Sequence, residues 1–164
     1  MKRYILLNAI LFFLALQGFA QTNSFDVFTY QPPEFFTKSE LPTRVQFNLT
    51  NTDGTFCIIT LYKSLPAKED SVQDLMSQWN EQVVKRLSKA DKKPAKIMTG
   101  QYLDGWKSTL AVGNFYQNKK KAVVMLHSFR KNKTSACAVI AFSDKIFKGP
   151  VENFSQNLHL INQP

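Results

Sequence analysis

Imidazole and thiol chemistry in this chain rests on two histidines, His127 and His159, and two cysteines, Cys57 and Cys137. Their spacing matches no zinc pattern, which requires Cys or His pairs a few residues apart. His127 sits in an apolar, strand-like run beside Met125 and Phe129. A lone histidine there is more often packed than used as a base or ligand. Asp53 and Asp104 each precede a glycine, and turn geometry already accounts for an acid in that place. Residues 100–108 nearly spell a phosphate-binding loop, but Trp106 stands before Lys107, and the stretch reads as a hairpin whose amides pair across the turn. One catalytic route is left: a hydrolase of unfamiliar type in which folding brings a carboxylate to His127. No catalytic constellation, metal site or cofactor is otherwise expected.

The chain opens with Met1-Lys2-Arg3, an apolar run from Tyr4 to Leu16, and small Gly18 and Ala20 ahead of Gln21. A cationic start, a dozen or so apolar residues and slim side chains at the cleavage point make a secretory signal peptide. Residues 1–20 are therefore expected to be removed, leaving residues 21–164 as a single globular domain, exported to the periplasm or secreted. The run is too short for a membrane span, and no later stretch is apolar enough for one. Two cysteines are an even number in an exported chain, where a bridge persists, so a Cys57–Cys137 disulfide is expected. It would close a loop of eighty residues, for which chain entropy gives about 4 kcal/mol.

Charge is unevenly distributed. Residues 21–84 carry four Lys or Arg against eight Asp or Glu, net −4, whereas residues 85–148 carry fifteen against three, net +12. If the later strands form a meander, their loops alternate between two ends of a sheet. Lys92, Lys93, Lys96, Lys119, Lys120, Lys121, Lys145 and Lys148 then share one pole, with Lys131 and Lys133 far away. Such a pole attracts anions: an acidic protein or an anionic envelope component. Lysine binds without the fork geometry of arginine, so the attraction is diffuse. Nucleic acid is not expected, because the lysine loops lack interleaved aromatics for stacking.

The elements that carry these residues are legible from pattern. Phe25, Val27 and Thr29 suggest one first strand ending at Pro32-Pro33, followed by a loop to Pro42. Residues 45–50 and 55–62 form a hairpin around Asp53-Gly54. A helix over residues 71–89 carries Val72, Leu75, Met76, Trp79, Val83 and Leu87 on its core stripe, with Gln73, Gln78, Gln82 and Lys85 toward water and Ser71 and Asp74 as a capping box. Four strands follow at about 96–103, 106–116, 122–130 and 135–142, the first two joined by Asp104-Gly105. A closing helix holds Val151, Phe154 and Leu158. Runs such as residues 56–59 and 136–142 are apolar at successive positions, which calls for cover on both faces. The expected class is α+β, a mainly antiparallel sheet sandwiched between helices.

That order of elements, headed by Phe28-Thr29-Tyr30-Gln31-Pro32-Pro33-Glu34-Phe35-Phe36, resembles the PsbP-like family of PsbP and DcrB-like α/β/α sandwich proteins. The resemblance implies a binding, assembly or chaperone-like accessory role with no common catalytic residues.

Overall fold

A computed structural model of the chain describes residues 22–101 and 105–161. The expected signal peptide, residues 1–20, and Asp104 lie outside them. Among the described residues the fold is α+β: two sheets of antiparallel strands and two α-helices.

The larger sheet begins with the edge strand β3 (Thr37–Leu41), paired to β4 (Arg44–Thr50). A tight loop leads from β4 into β5 (Phe56–Pro66). There Asp53 Oδ1 accepts from the Thr55 amide at 2.8 Å and its hydroxyl at 2.7 Å, while Gly54 takes φ +81°, which a side chain would resist. Strands β6 (Lys96–Gln101), β7 (Lys107–Gln117), β8 (Lys120–Lys131) and β9 (Thr134–Phe142) form the expected up-and-down meander, and β9 returns to lie against β5. The order across the sheet is β3-β4-β5-β9-β8-β7-β6.

Between β5 and β6 runs α1 (Ser71–Trp79), which continues as a wider π turn over Asn80–Val84. The expected helix is thus shorter and ends differently. Its cap is Asp70, whose Oδ1 accepts from the amides of Val72 and Gln73, both at 2.8 Å. Asp74, expected in a Ser71 capping box, is instead buried and paired with Arg130 of β8; its other oxygen accepts from Lys68 N at 2.6 Å. Leu75, Trp79 and Val83 are fully buried, but Val72 is exposed. Gln78 is buried too and donates to Ser135 Oγ at 2.8 Å.

The N-terminal region also departs from expectation. The single strand expected there is a hairpin, β1 (Asn23–Phe25) and β2 (Phe28–Tyr30), turned at Asp26 with φ +54°. Asp tolerates that geometry, and its Oδ2 accepts from Ser64 N at 2.6 Å. β10 (His159–Leu160) pairs with β2 to complete the smaller sheet. The expected loop before Pro42 contains β3, an exposed edge strand whose polar residues gave no alternating pattern to read.

Two apolar clusters hold the elements together. The first joins Val27, Phe28 and Tyr30 to Phe47, Ile59 and Phe129, and to Val151 and Phe154 of α2 (Lys148–Gln156). The second joins Leu75, Trp79 and Val83 to Ala111, Phe115, Val124 and Leu126. Along β9, Ala136, Ala138 and Ile140 enter the first cluster, and Cys137, Val139 and Ala141 enter the second. Every β9 side chain from Ser135 to Ala141 is buried, as the unbroken apolar run requires.

The expected Cys57–Cys137 disulfide is absent, and both thiols are buried and free. Cys57 stands opposite Phe142, whereas Cys137 stands opposite Tyr62. Five residues therefore separate the two positions along β9, about 16 Å at a strand's rise. An odd separation also puts them on opposite faces, and each belongs to a different cluster. A bridge needs Cα atoms within about 7 Å. Burial pushes both thiols up to about 12, so neither is a ready nucleophile.

Candidate functional site

Two cationic regions stand out, one of lysines and one of arginines. Lys119, Lys120 and Lys121 occupy the β7–β8 turn and the start of β8; Asn118 and Lys119 take positive φ, which makes the connection tight. Lys121 lines a groove with Lys145, and Lys119 lines a shallow depression with Lys89, a lysine absent from the sequence-based set. Asp144 caps the following turn through Ile146 N at 2.9 Å, so its carboxylate is already engaged.

The rest of the expected pole is spread out. Lys96 pairs with Val112, which lies five residues inward from Gln117, about 16 Å from the turn. Lys92 and Lys93 lie between Asp91 N, bonded to Asn114 O, and Ala95 N, bonded to Val112 O. They therefore follow the edge of β7 and do not reach its tip. Lys148 begins α2 and faces Glu152 at 3.7 Å. Lys131 and Lys133 stand at the other end of β8, whose twelve residues span about 36 Å.

The arginine region lies beside the π turn. Alternation along the strands puts Arg44 and Gln46 of β4, Ile58, Thr60 and Tyr62 of β5, and Val139 and Ala141 of β9 on one sheet face. α1 packs mainly over β8 and β7. The uncovered part of the face and the π turn enclose a cavity of about 350 Å³, closed on the helical side by Gln82, Arg86 and Leu87. Arg86 lies over the Tyr62 ring, 5.6 Å from its centroid, and Arg44 is the cross-strand partner of Tyr62. Burial pushes the Tyr62 phenol up, and the charges of Arg86 and Arg44 offset part of that rise. The phenol therefore stays protonated at neutral pH. Gln82 Oε1 is buried without a hydrogen-bond partner. Among the described residues, neither Arg44 nor Arg86 is in an ion pair.

Sequence reasoning missed this site. Gln82 and Arg86 are four apart on the helix, and Gln82 reads as water-facing. The signal that was available is Arg44, Gln46, Thr60 and Tyr62, polar residues on one face of a hairpin whose other face is apolar.

His127 is cross-strand from Leu110 and Ala138, and its ring packs on Phe129 with centroids 4.5 Å apart. Burial pulls its pKa down to about 4. Such an imidazole is neutral but weakly basic, which suits packing better than proton transfer. Its two cross-strand neighbours are both apolar. Asp53 serves the β4–β5 turn. Among the described residues, no three His, Cys, Asp or Glu side chains gather where they could hold a metal ion, and no helix is long and apolar enough to cross a membrane.

No family model and no curated protein matches the chain. Among solved structures, it is similar to PA94 of Pseudomonas aeruginosa, a protein of unknown function, at 11% identity and a TM-score of 0.48, over 79% of this chain and 98% of that one.

Proposed function

We propose that the chain is an exported accessory protein, secreted or periplasmic, that binds an anionic protein or envelope component through its lysine-rich end and performs no bond-making chemistry. The layering we infer for it is that of a PsbP-like α/β/α sandwich, with α1 over one face of the larger sheet and α2 with the smaller sheet over the other. The observation that carries the functional reading is the grouping of Lys119, Lys120 and Lys121 on one tight turn with Lys145 and Lys89 beside them. Exposed cations grouped at one end of the sheet, opposed by Asp53 near Lys120 and Asp144 near Lys121 and Lys145, create a potential that a surface of dispersed charge does not.

Retention of the mature chain on heparin and on anionic vesicles, read across a salt gradient, tests this. Lys119→Glu, Lys120→Glu and Lys121→Glu combined should shift elution to much lower salt, and Lys131→Glu with Lys133→Glu should have a smaller effect. Equal retention of the two variants would remove the lysine-rich end as the binding surface.

A further inference from the structure

The cavity beside the π turn has features that diffuse charge attraction does not require. Its floor is apolar, made by Ile58, Val139 and Ala141, with Leu87 at the side. Two guanidinium groups stand on its rim, neither in an ion pair among the described residues, and the centre of the Arg86 group lies 5.6 Å from the Tyr62 ring centroid. The fork of N–H groups that a guanidinium carries is the geometry that grips a carboxylate at both oxygens.

We propose that this cavity binds a small organic carboxylate that carries an apolar body. The carboxylate takes the fork of Arg86 and the charge of Arg44. The apolar body rests on Ile58 and Val139. A bare inorganic anion would satisfy the arginines but leave the apolar floor unmatched. The volume, about 350 Å³, falls at the small end of ligand pockets. This site shares no residue with the lysine-rich end, so each stands or falls separately.

The test uses the mature chain titrated with para-hydroxyphenylacetate and N-acetylleucine, followed by calorimetry and by amide chemical shifts. Tyrosol, which lacks the carboxylate, and inorganic phosphate are the comparisons. At least one of the two acids should bind, with shifts centred on β4, β5 and the π turn. Arg86→Lys and Arg44→Lys keep the charge and should each weaken binding at least roughly tenfold, because the fork is lost. The Lys119, Lys120 and Lys121 triple variant should bind as the unaltered chain does. No binding by either acid at millimolar concentration overturns the proposal, as does phosphate or tyrosol binding as well as they do. Unchanged affinity in both lysine variants, with melting temperatures intact, also overturns it by showing that charge alone suffices.

Discussion

The apolar cluster around Phe47 and Phe154 and the one around Trp79 solve the same problem with different materials. The first is built from large rings: Tyr30 meets Phe47 edge-on at 5.5 Å, Phe47 meets Phe154 at 5.9 Å, and Phe28 meets Phe129 at 6.0 Å. The second has one such pair, Phe56 and Phe115 at 6.1 Å, and otherwise relies on the Trp79 ring pressed against small residues. A Cβ placed on Gly113 would lie 2.8 Å from the Trp79 ring, so this glycine is needed for close approach. Trp79 Nε1 donates to Asp91 O at 2.9 Å, and Asp91 Oδ2 accepts from Asn114 N at 2.8 Å, tying the segment after the π turn to β7. Buried polar groups also belong mainly to this second region: Asp74 and Gln78 on α1, and Ser128, Ser135 and Thr109 on the strand face it covers. Interlocked rings seal a region, whereas one short helix covers only part of a wide sheet. The uncovered remainder is the arginine-lined cavity.

The largest expected effect falls on the sealed cluster. Phe47→Ala should cost about 4 kcal/mol in urea unfolding, because the surrounding rings cannot collapse into the space. A loss below about 1 kcal/mol would show that the rings are looser than their contacts indicate.

Next comes the margin of that cluster, where His127 packs on Phe129. Its pKa is about 4 in the folded chain against an ordinary 6.5. Above pH 6.5 the imidazole is neutral folded or unfolded and contributes no pH dependence. As pH falls from 6.5 toward 4 the unfolded chain takes the proton first, so stability drops, by roughly 3 kcal/mol once pH reaches 4. His127→Leu should abolish that component of the pH slope. Parallel unfolding series for the two proteins that track each other from pH 7 to pH 4 would show that the ring is solvated.

The smallest expected effect is on the helix-covered cluster. Gly113→Ala should lift Trp79 and cost about 2 kcal/mol. It should also speed native-state alkylation of Cys137, which shares that cluster, and leave Cys57 in the other cluster unaffected. Equal acceleration at both thiols would mean that the two clusters open as one unit.

Local chemistry made much of the fold legible. Asp53-Gly54 marked a turn between two apolar runs, and the spacing of Leu75, Trp79 and Val83 marked a helix with one buried stripe. Short polar links between the last four strands marked a meander. Where reading failed, a local rule met a distant partner. Asp74 resembled a capping residue and became the counter-charge of Arg130. Gln78 and Gln82 resembled water-facing residues because nothing in a helical pattern tells where a neighbouring sheet will end. The segment around Asp26 looked like one alternating strand, since a two-residue turn that reverses it leaves the apolar spacing almost intact.

The sequence by itself determined the β4–β5 hairpin, the helix with its buried stripe and the four-strand meander, that β9 is buried on two faces, and that basic charge is concentrated in the second half of the chain. These follow from side-chain spacing and composition, which act over a few residues. Only the tertiary structure decided which cysteines, lysines and arginines meet. Register and strand order set those distances: an odd offset along β9 parts Cys57 from Cys137, and the inward pairing of β6 draws Lys96 away from the turn. The same geometry sets Arg44 and Arg86, forty-two residues apart in the chain, on the rim of one cavity.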